Sequence, residues 1–190
     1  MLTIFMIIGG ALLRLVPHIA NFAPISATAL FGGSYLNKKF AILVPLTIVA
    51  VSDYLLLYIN PFGDPMVNFK SIQPISAMFH STTLYVWGSF TISGLIGIWL
   101  KNRVKPSNII GASFLVSLQF FLITNFGVWA SGMYSRGLDG LLQSYIMGLP
   151  FFKWTLMGDI FYTGVFFGAY ELAIRIANKP APAFKQIFVE

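Results

Sequence analysis

Charged residues are scarce in this chain of 190 residues, and cysteine is missing altogether. Only 9% of the residues are charged, against about 25% in ordinary soluble domains. Since 57% are hydrophobic, the polar surface is too small to cover a water-soluble globule, and the 16% aromatic content argues against disorder. The missing cysteines exclude disulfides, thiolate metal sites and cysteine nucleophiles. The composition predicts a polytopic membrane protein.

The apolar segments divide the chain into six predicted transmembrane helices. A span needs roughly 20 apolar residues, so this length has room for about six. The predicted spans are residues 2–16, 25–36, 40–59, 79–100, 109–130 and 151–177. The segment between 131 and 150 is predicted to be irregular or to hold only a short helix. We therefore expect a single all-α transmembrane domain, embedded in a lipid bilayer.

Lysine and arginine are distributed unevenly between the two ends of such a bundle. With six spans, both termini lie on the side that carries the second-to-third and fourth-to-fifth connections. Eight basic residues fall there, and four on the other side: Lys38, Lys39, Lys101, Arg103, Lys105, Arg175, Lys179 and Lys185, against Arg14, Lys70, Arg136 and Lys153. The positive-inside rule then places both termini in the cytoplasm. It also accounts for the net charge of +6 without a nucleic-acid partner.

Polar residues gather at the extracytoplasmic end in this orientation. The set lies in the outer halves of the spans or in the first outer loop, and comprises Arg14, His18, Asn21, Asp53, His80, Tyr85, Asn125 and Asp159. Ionisable groups within spans are energetically expensive and face partners or a cavity. We therefore expect a ligand cavity that opens to the outside.

Two carboxylates and one cation lie within the predicted spans. We expect Arg14 to form a structural ion pair with Asp159, which leaves Asp53 to line the ligand pocket; a pair between Arg14 and Asp53 is the alternative. Intramembrane carboxylates also serve proton-coupled secondary carriers. That function, and a structural subunit without a ligand, are the two rival interpretations.

Motifs for catalysis are missing from the sequence. Two histidines without cysteine cannot form a closed zinc site unless carboxylates complete it. No glycine-rich phosphate loop and no nucleophile elbow stands out. The sequence predicts neither an enzyme nor a cofactor of its own.

Several short blocks, in order along residues 10 to 175, resemble the BtuM-type cobalamin transporters. These are small bacterial membrane proteins related to the substrate-binding (S) components of energy-coupling-factor (ECF) vitamin transporters. The blocks are RLVPH at 14–18, NFAPI at 21–25, ALFGG at 29–33, SD at 52–53, FHST at 79–82, YVWGSF at 85–90, TNFGVW at 124–129, LPFF at 149–152 and GD at 158–159.

The resemblance implies an S-component-like bundle in the bacterial cytoplasmic membrane that binds a vitamin, cobalamin, from outside. The position of His80 is the one that supplies the axial ligand to the cobalt, and Ser81 and Thr82 carry hydroxyls that could orient its imidazole. The remaining expected pocket residues are His18, Asn21, Asp53, Tyr85, Asn125 and Trp129. Without cysteine, thiolate-dependent removal of the upper cobalt ligand is not implied. Two energy sources stay open, an ECF-type transmembrane and ATPase module or transport by this chain alone.

Overall fold

The computed structural model describes residues 2–16, 19–61, 63, 65–67, 69 and 71–177. Within these residues the chain is all-α, with no β-strand. The helices are α1 (Leu2–Leu15), α2 (Ile25–Tyr35), α3 (Lys38–Leu55), α4 (Thr83–Leu100), α5 (Pro106–Ala130) and α6 (Leu138–Ala177), with a short 3₁₀ turn at Ile75–Met78. The predicted fold class is therefore confirmed at the level of six helices. Two of them, α4 and α5, are long and apolar enough to cross a membrane, with mean hydropathies of 1.4 and 1.8.

Helix α2 lies at the centre of the bundle and packs against α3, α4 and α6. Ten of its eleven residues are buried, and many of them are small. Glycines permit close approach to α4, because a Cβ at Gly97 would meet the Leu30 carbonyl oxygen and the Gly33 backbone. The Ser34 hydroxyl donates to the Leu30 carbonyl at 2.8 Å and lies 3.2 Å from the Gly97 carbonyl. At Gly97 and Gly33 the backbones of α2 and α4 are therefore in direct contact.

The polarity of the described residues is inverted relative to a soluble domain. More large apolar side chains are exposed than buried, and residues such as Phe5, Leu84 and Ile110 are each more than half exposed. The interior combines an apolar core around Leu30, Ile48 and Val116 with a series of buried serines and threonines. Among the described residues, the buried serines and threonines include Ser26, Thr28, Ser34, Ser52, Thr83, Ser89, Ser93, Ser113, Ser117, Ser144, Thr155 and Thr163. Exposed apolar surface of this extent is typical of proteins that contact a membrane or another protein.

The last helix begins much earlier than the sequence indicated. We predicted an irregular segment up to residue 150, but α6 runs for 40 residues from Leu138 and includes Pro150. A proline removes one intrahelical hydrogen bond, and for that reason Pro150 predicts a helix boundary. Two contacts with α5 hold the turns before it: the Ser144 hydroxyl donates to the Asn125 carbonyl at 2.7 Å, and the Tyr145 hydroxyl donates to the Leu122 carbonyl at 2.9 Å.

The other predicted helix bounds need smaller corrections. Helix α3 ends at Leu55 rather than 59, and α4 begins at Thr83 rather than 79. The latter start follows from local hydrogen bonding, since the Thr83 hydroxyl accepts the His80 backbone N–H at 2.8 Å. His80 therefore precedes the helix and is not part of its first turn.

Candidate functional site

A cavity of about 900 Å³ lies at one end of the bundle. It is lined by the end of α1, the segment before α2, the end of α3 with the residues that follow, and the adjoining parts of α4, α5 and α6. The polar side chains on its wall are Arg14, Asn21, Ser26, Asp53, Tyr58, Asn60, His80, Thr155 and Asp159. Ligand pockets usually measure about 300–1,000 Å³, so the space suits a large solute.

Arg14 pairs with Asp53 and not with Asp159. Its Nη1 lies 2.7 Å from the Asp53 Oδ1 and also donates to the Ser52 hydroxyl. The Trp87 indole N–H donates to the other carboxylate oxygen of Asp53 at 3.3 Å. The pair is partly buried, with side-chain exposures of 22% and 12%. Both residues line the cavity, so the ion pair is a charged part of the wall.

The predicted pair between Arg14 and Asp159 is wrong because of helix packing. Within the described residues α1 packs on α3 and slightly on α2, and it does not contact α6. The carboxylate of Asp159 is instead held by serines from two other helices. Ser117 on α5 donates to its Oδ2 at 2.7 Å, and Ser26 on α2 supplies another hydrogen bond. Asp159 is only 2% exposed, yet it forms part of the cavity wall.

His80 lies on the cavity wall just before α4. Its Nδ1 is 2.9 Å from the Thr82 hydroxyl, whereas the described hydrogen bonds include none between Ser81 and the imidazole. When Nδ1 donates to Thr82, Nε2 carries the lone pair. The local geometry thus supports the idea that a neighbouring hydroxyl orients this ring, and it assigns that role to Thr82.

Asn21 lies between the main cavity and a smaller one, and lines both. Its backbone has a positive φ of 66°, a conformation that asparagine tolerates better than most residues. The structure therefore brings Asn21, Asp53 and His80 together, as the sequence predicted. The predicted residue His18 lies outside the described residues.

Asn125 faces the smaller cavity, which we call the side pocket. This space measures about 250 Å³ and lies between α5 and α6, beside the first turn of α4. The Asn125 side-chain amide donates to the Phe121 carbonyl at 2.8 Å. Asn125 thus lines a chamber next to the main cavity rather than the main cavity itself.

Tyr85 and Trp129 line neither cavity. The Tyr85 ring packs directly on Gly127 and lies 6.1 Å from the ring centroid of Phe126, which in turn contacts Trp129 at 5.4 Å. The α4 residues that do face the main cavity are Val86 and Phe90. At about 100° per residue Tyr85 is rotated well away from that face, so both pocket predictions are corrected to packing between α4 and α5.

Thr155 is a wall residue that our reading of the sequence missed. It lies four residues before Asp159 on α6, and both residues face the main cavity. The spacing of four residues places two side chains on the same helix face, so the signal was present in the sequence.

No group of three or more histidine, aspartate or glutamate side chains among the described residues could hold a metal ion.

Comparison with known proteins gives a family. Residues 1–183 match DUF6580, a family of unknown function, and the chain therefore belongs to that family. A search of curated proteins and a search of solved structures return no match.

Proposed function

We propose that this DUF6580 protein is a membrane-embedded binding protein of the S-component type, which takes up cobalamin from the extracytoplasmic side. One observation carries the proposal: a cavity of about 900 Å³ that collects the Arg14–Asp53 ion pair, His80 and Asp159 at one end of a helical bundle. A concave space of this size with charged groups on its wall, in an otherwise apolar protein, is suited to a large polar solute.

The exterior of the bundle supports a membrane location. Large apolar side chains are exposed along α1, α3, α4, α5 and α6, and such a surface would associate in water. The buried serines agree with it, because small hydroxyl residues at helix contacts are typical of helices that pack in lipid. We assign all six helices to the bacterial cytoplasmic membrane. Helices α4 and α5 are long and apolar enough to span it by themselves, and the other four would lie in it as parts of the bundle.

The charge distribution supports the direction of binding. The connection between α4 and α5 carries Lys101, Arg103 and Lys105 and lies at the opposite end of α4 from the cavity wall residue His80. Basic connections face the cytoplasm. The cavity then opens to the outside, and both termini are cytoplasmic.

The imidazole of His80 supports cobalt as the atom that is recognised. A single histidine cannot build a metal site alone, but cobalamin brings the corrin nitrogens and needs only one axial ligand from the protein. Nitrogen of imidazole is a good ligand for such a metal, and the contact with Thr82 fixes the ring. For this coordination cobalamin must bind with its own benzimidazole displaced.

Expression with added cobalamin tests the proposal. The purified wild-type protein should be pink to red, and the spectrum of bound cobalamin should differ from that of free cobalamin, whose axial nitrogen comes from its own benzimidazole. His80→Ala should bind cobalamin more weakly and lose that spectral signature. Ser81→Ala should keep the affinity and the spectrum of the wild type. Colourless wild-type protein that does not bind added cobalamin contradicts the proposal, and an unchanged spectrum in His80→Ala removes His80 as the ligand.

A proton-coupled secondary carrier is the second candidate, because Asp53 and Asp159 line the same cavity. The two proposals differ in how they use energy. A carrier of this kind loses uptake when a protonophore collapses the proton gradient, and it loses uptake with Asp159→Asn. A cobalamin-binding protein keeps its ligand in detergent, where no gradient exists.

A further inference from the structure

The side pocket adjoins the main cavity. Both are lined by Asn21, Val86, Phe120 and Thr155. An arm of a ligand in the main cavity has only these shared side chains to pass in order to lie between α5 and α6. The volume of about 250 Å³ limits that arm to a small group, since a 150 Å³ cavity already accommodates a benzene ring.

The polar side chains that α5 and α6 contribute to the side pocket present hydrogen-bond acceptors, whereas Asn21 and Thr82 belong to the rest of its wall. The Thr124 hydroxyl donates to the Phe120 carbonyl at 2.7 Å, and the Thr155 hydroxyl donates to the Phe151 carbonyl at 3.1 Å. These hydroxyl protons are committed to the backbone, so lone pairs are what the oxygens offer a ligand. The Asn125 amide nitrogen also donates to the backbone. Its Oδ1 packs against Gly148 on α6, and no donor in the described part of the chain reaches it.

Aromatic rings form much of the remaining wall. Phe121 and Phe152 have ring centroids 4.8 Å apart, and Phe120 and Phe151 also line the pocket. Such walls exclude water and make an unpaired polar group costly. A carboxylate on the arm would bring a charge and only acceptor oxygens to the acceptors of α5 and α6. A neutral group with N–H donors would bring no charge and could donate hydrogen bonds to these oxygens.

We infer that the side pocket binds a neutral carboxamide arm of the ligand, whose N–H₂ donates to Asn125 Oδ1. This inference rests on the proposed function, because cobalamin carries primary carboxamide arms around its corrin ring. The side pocket is then a specificity site that selects an amide over the corresponding carboxylic acid.

Affinities for cobalamin and for its monocarboxylic-acid derivatives, each with one amide hydrolysed, test the inference in detergent. Wild-type protein should bind one derivative about tenfold more weakly than cobalamin, because one arm enters the pocket. Asn125→Ala should weaken cobalamin binding several-fold and remove most of that discrimination. Asn108→Ala is the matched control, since Asn108 lies at the other end of α5 and likewise donates to a backbone carbonyl.

Thr124→Val provides a second variant of nearly unchanged shape, in case Asn125→Ala folds poorly. Its matched control is Thr47→Val, whose hydroxyl donates to the Leu43 carbonyl at 2.7 Å on the exposed side of α3. Thr124→Val should reduce the discrimination and Thr47→Val should not. Equal binding of all derivatives by the wild type, or unchanged discrimination in both pocket variants, overturns the inference while cobalamin binding stands. Failure of the wild type and the controls to bind cobalamin overturns the proposed function instead.

Discussion

Arg14 on α1 and Asp53 on α3 form an ion pair of 2.7 Å in the wall of the main cavity. Ser52 and Trp87 complete the hydrogen bonding of the two charged groups. A partly buried pair of this kind serves two purposes. It ties the first helix to the bundle, and it keeps two charges beside the main cavity.

Breaking this ion pair from either side should destabilise the protein. Arg14→Gln and Asp53→Asn should each lower the free energy of unfolding by about 2 kcal/mol, because the partner charge loses its counter-ion in a site of low polarity. The double variant should be less destabilised than the sum of the two. Thermal or denaturant unfolding in detergent measures the three values.

The matched control for the pair is Arg175→Gln. Arg175 and Glu171 form an ion pair of 3.0 Å on α6, with side-chain exposures of 71% and 56%. Exposed pairs contribute only a few tenths of a kcal/mol, so this variant should unfold like the wild type. Fully additive effects of Arg14→Gln and Asp53→Asn would contradict the coupling.

Thr82 should matter for ligand affinity while Ser81 should not. Thr82→Val removes the oxygen that contacts His80 Nδ1, so the ring loses its fixed orientation. We expect cobalamin to bind about tenfold more weakly, within the range known for partners that orient metal-ligating histidines. Ser81→Ala should leave the affinity unchanged. A titration followed by absorption measures both, and equal affinities of the two variants would remove Thr82 from this role.

The close contact between α2 and α4 should depend on one glycine of α4. Gly97→Ala places a methyl group against the Leu30 carbonyl, and the free energy of unfolding should fall by about 1–3 kcal/mol. Gly88→Ala on the same helix has nothing within 4 Å of the new Cβ. It should be neutral or gain up to about 1 kcal/mol from helix propensity. Equal stability of the two variants would show that the backbones do not approach this closely.

The ends of α5 should react from opposite sides of the membrane. The chain has no cysteine, so Lys105→Cys and Ser131→Cys each create a single thiol. An impermeant thiol reagent added to intact spheroplasts should label position 131 directly. Position 105 should be labelled only after permeabilisation, because the proposed orientation directs its basic surroundings to the cytoplasm. The reverse labelling pattern would show that the orientation is inverted and that the cavity opens to the cytoplasm.

Composition and local pattern were sufficient to predict that the fold is helical and that six helices form. Apolar runs, glycines and prolines act over a few residues, so they can be read along the chain. The same is true of His80 and Thr82, whose contact joins residues two positions apart. The gathering of Asn21, Asp53 and His80 at one end also followed from the order and direction of the helices.

The tertiary structure alone decided which side chains meet. Arg14 binds Asp53 because α1 packs on α3 and not on α6, and Tyr85 turns away from the cavity because α4 presents Val86 and Phe90 instead. The side pocket exists because α6 continues through Pro150 and lies along α5 from Ser144 onwards. Helix identity depends on neighbours in sequence, whereas helix rotation and pairing depend on the packing of surfaces that are distant in sequence.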